Sequence, residues 1–170
     1  MLAASLSRAQ DLTAPFPSSA LVLEVLEFIR LLCEGHNTHV QDFLRDQEEF
    51  HTKHDLVVEV YEYVFALEKE LERTNLLFML KALDTLTELV QGNHSAGNAK
   101  VLIETKLVRI LGRLVSTRLI DNKQELGDLH LSALTLLNAL LEGASQVGHP
   151  RSEPDVNPHA RNTPSPSCLW

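Results

Sequence analysis

Residues 31–47 read LLCEGHNTHVQDFLRDQ, and the rest of the chain is best read outward from them. Just upstream and into this stretch, Val22, Val25, Leu26, Ile29, Leu32 and Cys33 fall at the i, i+3, i+4, i+7 spacing of a helix with one buried face. Gly35 follows, a residue that takes positive φ at low steric cost and so commonly ends helices. Thr38, with Gln41 three residues on, has the spacing of a capping box, in which side chains satisfy two backbone N–H groups at a helix start. Beyond it Val40, Phe43 and Leu44 share one side, while Asp42, Arg45, Asp46 and Gln47 fall largely on the others. The stretch therefore predicts a helix, a tight corner and a second helix. Phe43 and Cys33 are expected to be buried near each other, with Phe43 and Leu44 packed onto Leu32 and Cys33. Arg45 has two local partners in reach, Asp42 three residues back and Glu34 across the corner.

The same period continues along the chain. Helices are expected over residues 19–34 and 38–48, and then from an Asp55 cap with Leu56 or Val57, Val60, Val64, Leu67 and Leu71 as its stripe. An Asn75 cap opens a fourth helix, with Leu76, Met79, Leu80, Leu83, Leu86 and Val90 in register and Gly92 as its stop. Short helical pieces over 98–104 and 106–119 precede a last helix over 123–142, started by Asn122 with Glu125 and ended by Gly143. Apolar residues make up 44% of the chain and aromatics only 5%, with Leu dominant, which favours helix-on-helix packing over a β sandwich. The fold class expected is all-α: antiparallel helix pairs forming an armadillo-like α-solenoid segment of about six or seven helices. No strict internal repeat is visible. Five of the seven prolines lie between Pro150 and Pro166. That composition divides the chain into an irregular arm (1–17), a helical domain (18–143) and a Pro-rich tail expected to be disordered (144–170).

Composition also narrows the function classes. A net charge of −8 is unsuited to nucleic acid, where affinity rests on neutralising phosphates, and to anionic lipid surfaces. No run of about 18 apolar residues is present to span a membrane. Two cysteines, Cys33 and Cys168, make no disulfide framework. Cys33, His36 and His39 recur at three-residue intervals, as do His51 and His54, and thiolate and imidazole are zinc ligands. The corner at Gly35 breaks the helix that would align the first three, so surface histidines beside a core cysteine is the reading preferred. Cys33 lies on an apolar stripe next to Glu34, the opposite of the electropositive setting a reactive thiol needs. No phosphate loop, nucleophile elbow or HExxH is found. No enzyme activity and no cofactor are expected.

The corner residues carry a resemblance. Leu31, Leu32, Cys33, Glu34 and His36, then Gln41, Phe43, Leu44, Arg45 and Gln47, resemble the signature of the RIH-associated domain of intracellular calcium-release channels, the inositol trisphosphate and ryanodine receptors. Asp42 stands where that signature usually has Asn. A second segment, LDTLTELVQGN over residues 83–93, is similar to another stretch of the family pattern, and the resemblance covers roughly residues 21–143. It marks Leu32, Cys33, Glu34, Gly35, His36, Gln41, Phe43, Leu44 and Arg45 as a structural signature. It implies a regulatory coupling domain on the cytosolic side of the endoplasmic or sarcoplasmic reticulum membrane. Its partners would be neighbouring domains or subunits of a tetrameric channel, and the chain itself carries no pore. A stand-alone helical adaptor that binds a partner peptide or helix in a groove is the alternative.

Overall fold

The computed structural model describes residues 18–47, 53–93 and 97–147. Among them are seven α-helices and no strand: α1 (Ser18–Cys33), α2 (Thr38–Arg45), α3 (Leu56–Lys69), α4 (Leu76–Val90), α5 (Gly97–Glu104), α6 (Leu107–Ser116) and α7 (Lys123–Val147). None is long and apolar enough to cross a membrane. The expected arm, residues 1–17, lies outside the described residues, as does the tail from residue 148.

Local chemistry sets most of the helix ends. Asp55 Oδ1 accepts from the Val58 N–H at 3.0 Å and starts α3. Asn122 Oδ1 accepts from the Gln124 and Glu125 N–H groups and starts α7. Gly35 and Gly92 end α1 and α4 in the left-handed region, at φ 77° and 70°. Asn75 precedes α4 but makes no side-chain cap bond to it; its amide instead holds the preceding turn, accepting from Glu72 N–H and donating to Glu70 C=O. Gly143 does not stop the last helix, which runs on to Val147. A helical glycine costs only about 1 kcal/mol relative to alanine, and here it has a packing reason. A Cβ on Gly143 would stand 2.6 Å from the Ala99 Cβ, so the missing side chain lets α7 lie directly against α5.

The helices form a repeat that the sequence pattern did not disclose. The long helices α1, α4 and α7 run parallel. Leu26 and Glu27 of α1 meet Thr85 and Lys81 of α4, while His36 after α1 meets Gly92 after α4. Asp84 of α4 meets Ser132 of α7, and Arg73 before α4 meets Glu125 at the start of α7. Each of the first two long helices leads into an eight-residue helix, α2 or α5, and then into a return helix, α3 or α6. α3 packs on α4 as α6 packs on α7, and α3 touches α6. The pattern long–short–return thus occurs twice before α7 opens a third unit. Each long helix carries a similar motif towards its C-terminal end: Leu32-Cys33-Glu34-Gly35, Leu89-Val90-Gln91-Gly92 and Leu140-Leu141-Glu142-Gly143.

α4 is the centre of the stack, packed against α1, α3 and α7. Accordingly it buries most of its circumference, including Leu76, Met79, Leu83, Leu86, Leu89 and Val90, and leaves Leu77 and Asp84 exposed. α1 buries Leu26, Ile29 and Cys33, whereas Val25 and Leu32, expected on the same face, are largely exposed. α6 buries Leu107, Ile110, Leu111 and Leu114.

Candidate functional site

A helix ends with four carbonyls that have no partner inside it, and in α4 these belong to Thr87, Glu88, Leu89 and Val90. All four are satisfied. Two bonds are local, Gln91 N–H to Thr87 C=O at 2.8 Å and Asn93 N–H to Val90 C=O at 3.3 Å. The other two come from elsewhere in the chain. Gln41 Nε2 on α2 donates to Glu88 C=O at 2.6 Å, and also to Gln91 C=O at 3.0 Å. Asn98 Nδ2 on α5 donates to Leu89 C=O at 2.8 Å. Gln41 and Asn98 are both completely buried, so these bonds form away from competing water.

The same amides tie the two short helices to each other. Asn98 Nδ2 also donates to the Gln41 backbone carbonyl at 3.0 Å, and Asn98 Oδ1 accepts from Arg45 Nε at 2.9 Å. The Arg45 guanidinium lies against Gly97, with Nη2 3.0 Å from where a Cβ would be. Asn93 Nδ2 donates to Asp42 Oδ1 at 3.1 Å. Against Gly92 lies the His36 ring: a Cβ there would meet the His36 Cβ and Cγ at 2.7 Å. The corner after α1 and the turn after α4 are therefore one assembly. Residues 31–47 and 83–93, which resemble two separate parts of a family pattern, meet at the end of the central helix.

Several sequence-based expectations are corrected here. The cap of α2 is Asn37, whose Oδ1 accepts from Val40 N–H at 3.4 Å; Thr38 is already helical. Gly35 and His36 are both left-handed, and this turns the chain early enough for Asn37 to take the cap position. Gln41 does not reach back to a capping box, because α4's end carbonyls draw its amide into the core. Phe43 is not buried against Cys33. It is 52% exposed, since α2 rests on α1, α3 and α5 through Gln41 and Leu44. Leu32 likewise faces outward, so of the four residues expected to pack together only Cys33 and Leu44 are buried. Arg45 pairs with neither Asp42 nor Glu34, but reaches Asn98, 53 residues away.

Of the signature residues, the structure thus joins His36, Gln41 and Arg45 to the α4–α5 turn, while Gly35 supplies the left-handed corner. It places Cys33 and Leu44 in the core beside it and leaves Leu32, Glu34 and Phe43 on the surface. Asn98 is the residue that sequence reasoning missed. Nothing local distinguishes it from a solvated asparagine in a loop, and only the approach of α2 and α4 supplies its partners on Gln41, Arg45 and Leu89.

The chemistry of the site is structural. Burial, with the Glu88 charge a lesser contributor, pushes the Cys33 thiol up to about 11, which disfavours the thiolate. His36 and His39 are exposed. Among the described residues no three His, Cys, Asp or Glu side chains converge as metal ligands would. A cleft of about 540 Å³ lined by Val115, Thr117, Arg118, Leu126 and His130 lies on α6 and α7, away from the signature.

A family model described as "RyR and IP3R Homology associated" matches residues 17–115, which take in both halves of the assembly. The chain belongs to that family. It is also similar to the inositol 1,4,5-trisphosphate receptor itr-1 of Caenorhabditis elegans, with 31% identity over 140 residues. That alignment covers 74% of this chain and 5% of the worm receptor, so the chain corresponds to a small part of its relative's length. No solved structure matches.

Proposed function

We propose that the chain acts as a cytosolic coupling segment of a ligand-gated intracellular calcium-release channel, with no pore and no chemistry of its own. The observation that carries this reading is the buried assembly at the end of α4. It joins two family motifs into one rigid corner, and the family is that of the calcium-release channels. Such a corner transmits displacement because its parts cannot move separately without exposing unpaired buried amides. Its role would be to bias an open–closed equilibrium between neighbouring domains or subunits of the channel tetramer, on the cytosolic face of the reticulum membrane. Two global states and differential contacts in each are what coupling requires; a ligand bound to the corner is not.

The test is to place Leu44→Ala and Asn98→Ala, each at the corresponding position, in a full-length receptor and follow calcium flux across a ligand titration. A shifted ligand sensitivity with unchanged affinity of the isolated ligand-binding module is expected. Superimposable flux curves at equal expression would reject coupling and leave a purely structural domain. The alternative adaptor reading draws on the exposed apolar face of α1, which a free-standing domain would use to capture a partner. A chain that binds its partner equally well outside any channel, with flux untouched by the corner substitutions, would favour it.

A further inference from the structure

The repeat makes it possible to ask what covers the outer face of α1. Positions are best counted back from the glycine that ends each long helix's motif: Gly35, Gly92 and Gly143. α1 buries the residues 2, 6 and 9 before its glycine, Cys33, Ile29 and Leu26, against the stack. α7 buries those 3, 7 and 10 before, Leu140, Leu136 and Ala133. α4, sandwiched between them, buries both sets. Each long helix thus presents its 2/6/9 face to the helix after it and its 3/7/10 face to the helix before it.

On α1 the 3/7/10 face has no helix before it among the described residues. It consists of Leu32, Phe28 and Val25, extended by Leu21, and Phe28 and Leu21 are 62% and 63% exposed. With Glu24, Glu27 and Arg30 its only charged residues, α1 is apolar on two sides, the signature of a helix covered on both. The interior interfaces also show a polar contact in a fixed register. The residue 8 before the glycine of one helix meets the residue 11 before the glycine of the next: Glu27 with Lys81 at 2.9 Å, then Asp84 with Ser132 at 3.0 Å. The residue 11 before Gly35 is Glu24, an exposed carboxylate.

We propose that Leu21, Val25, Phe28 and Leu32 are the docking surface for the long helix of a neighbouring repeat. That helix runs parallel to α1, carries apolar residues 2, 6 and 9 positions before a helix-ending glycine, and has Lys or Arg 8 positions before it, opposite Glu24. Solenoid repeats need such neighbours, because a single unit cannot cover its own face. The chain spans 5% of its worm relative, which leaves ample sequence to supply one. The inference rests on the repeat and on family membership; whether the corner couples to calcium release does not enter it.

The test uses the full chain and a synthetic probe. The probe is an 18-residue peptide of the chain's own residues 18–35, which already carries the 2/6/9 face. It is made with Glu27→Lys, and with Leu21, Val25, Phe28 and Leu32 replaced by Gln to keep it soluble. Saturable binding by fluorescence anisotropy is expected, lost with Phe28→Lys in the chain and retained with Leu134→Lys, which removes an exposed leucine from α7 instead. The probe with Glu27→Lys should bind about two- to fivefold more tightly than one that keeps Glu27, and Glu24→Lys in the chain should reverse that preference. Circular dichroism confirms that each variant is folded. Binding indifferent to Phe28→Lys, a preference that Glu24→Lys leaves unchanged, or no saturable binding to the folded wild-type chain would each overturn the proposal. So would sedimentation showing that chains self-associate through this face, which would make the occupant a second copy.

Discussion

The two ends of the central helix α4 are held by different means. At its C-terminal end, completely buried amides from α2 and α5 occupy the helix carbonyls, and the backbone turns through left-handed glycines. At its N-terminal end the cross-links are surface ion pairs, Arg73–Glu125 at 3.1 Å and Glu68–Arg113 at 2.6 Å, over an apolar interior. The first arrangement admits few substitutions, because each buried amide satisfies several groups at once. The second admits many, because water can replace either partner. The two stretches that carry the family resemblance, residues 31–47 and 83–93, meet at the first of these ends.

The largest effect that would test this contrast is expected at Asn98. Asn98→Ala removes two donated bonds and one accepted bond in the buried assembly, and each buried group left unpaired costs about 1–3 kcal/mol. Chemical denaturation should therefore register a loss of several kcal/mol, in the range of a large core truncation. A loss below about 1 kcal/mol would mean that the amides are not what holds this end. Phe43→Ala, by contrast, should cost well under the roughly 3–5 kcal/mol of a buried phenylalanine, because half of the ring is in solvent.

Glycines sharpen the comparison next. Gly143→Ala must push α7 off Ala99 and should destabilise by about 1–3 kcal/mol, as overpacking generally does. Gly127→Ala, in the same helix but with nothing within 4 Å of the new Cβ, should stabilise by about 0.5–1 kcal/mol through helix propensity. Thermal melts of the two variants moving in opposite directions would confirm that Gly143 seats α7 directly against α5 whereas Gly127 faces open space.

A smaller effect concerns Glu27, between α1 and α4. Its carboxylate accepts two hydrogen bonds from Arg30 and one from Lys81, which together hold its pKa down at about 2, against an ordinary value of 4.5. A carboxyl with a lowered folded-state pKa contributes stability above its unfolded value and loses it on acidification. The stability gap between wild type and Glu27→Gln should therefore be full above pH 4.5 and close as pH falls towards about 2. A gap independent of pH over that range would show that the pairing is not formed in solution. The least effect is expected at the far end: Arg113→Ala should change stability little, as loss of an exposed ion pair generally does, and less still in high salt.

Much of the architecture was legible in the sequence because its causes are local. The 3.6-residue period of leucines specifies helices, Asp55 and Asn122 accept from N–H groups three residues away, and Gly35 and Gly92 end helices by their own conformational freedom. Those forces act within a single turn of chain, so a reader of sequence can find them. Tertiary structure alone decided that Gly143 seats a helix and does not stop one. It decided that Phe43 faces water although it shares a side with Leu44, and that Gln41, Asn98 and Arg45 work together. The physical reason is that an amide has no preferred partner until one is brought to it. Gln41 finds its partners 47 and 50 residues away, on carbonyls left open because α4 ends there, and Asn98 bridges Leu89 at that end to the Gln41 carbonyl, 57 residues away.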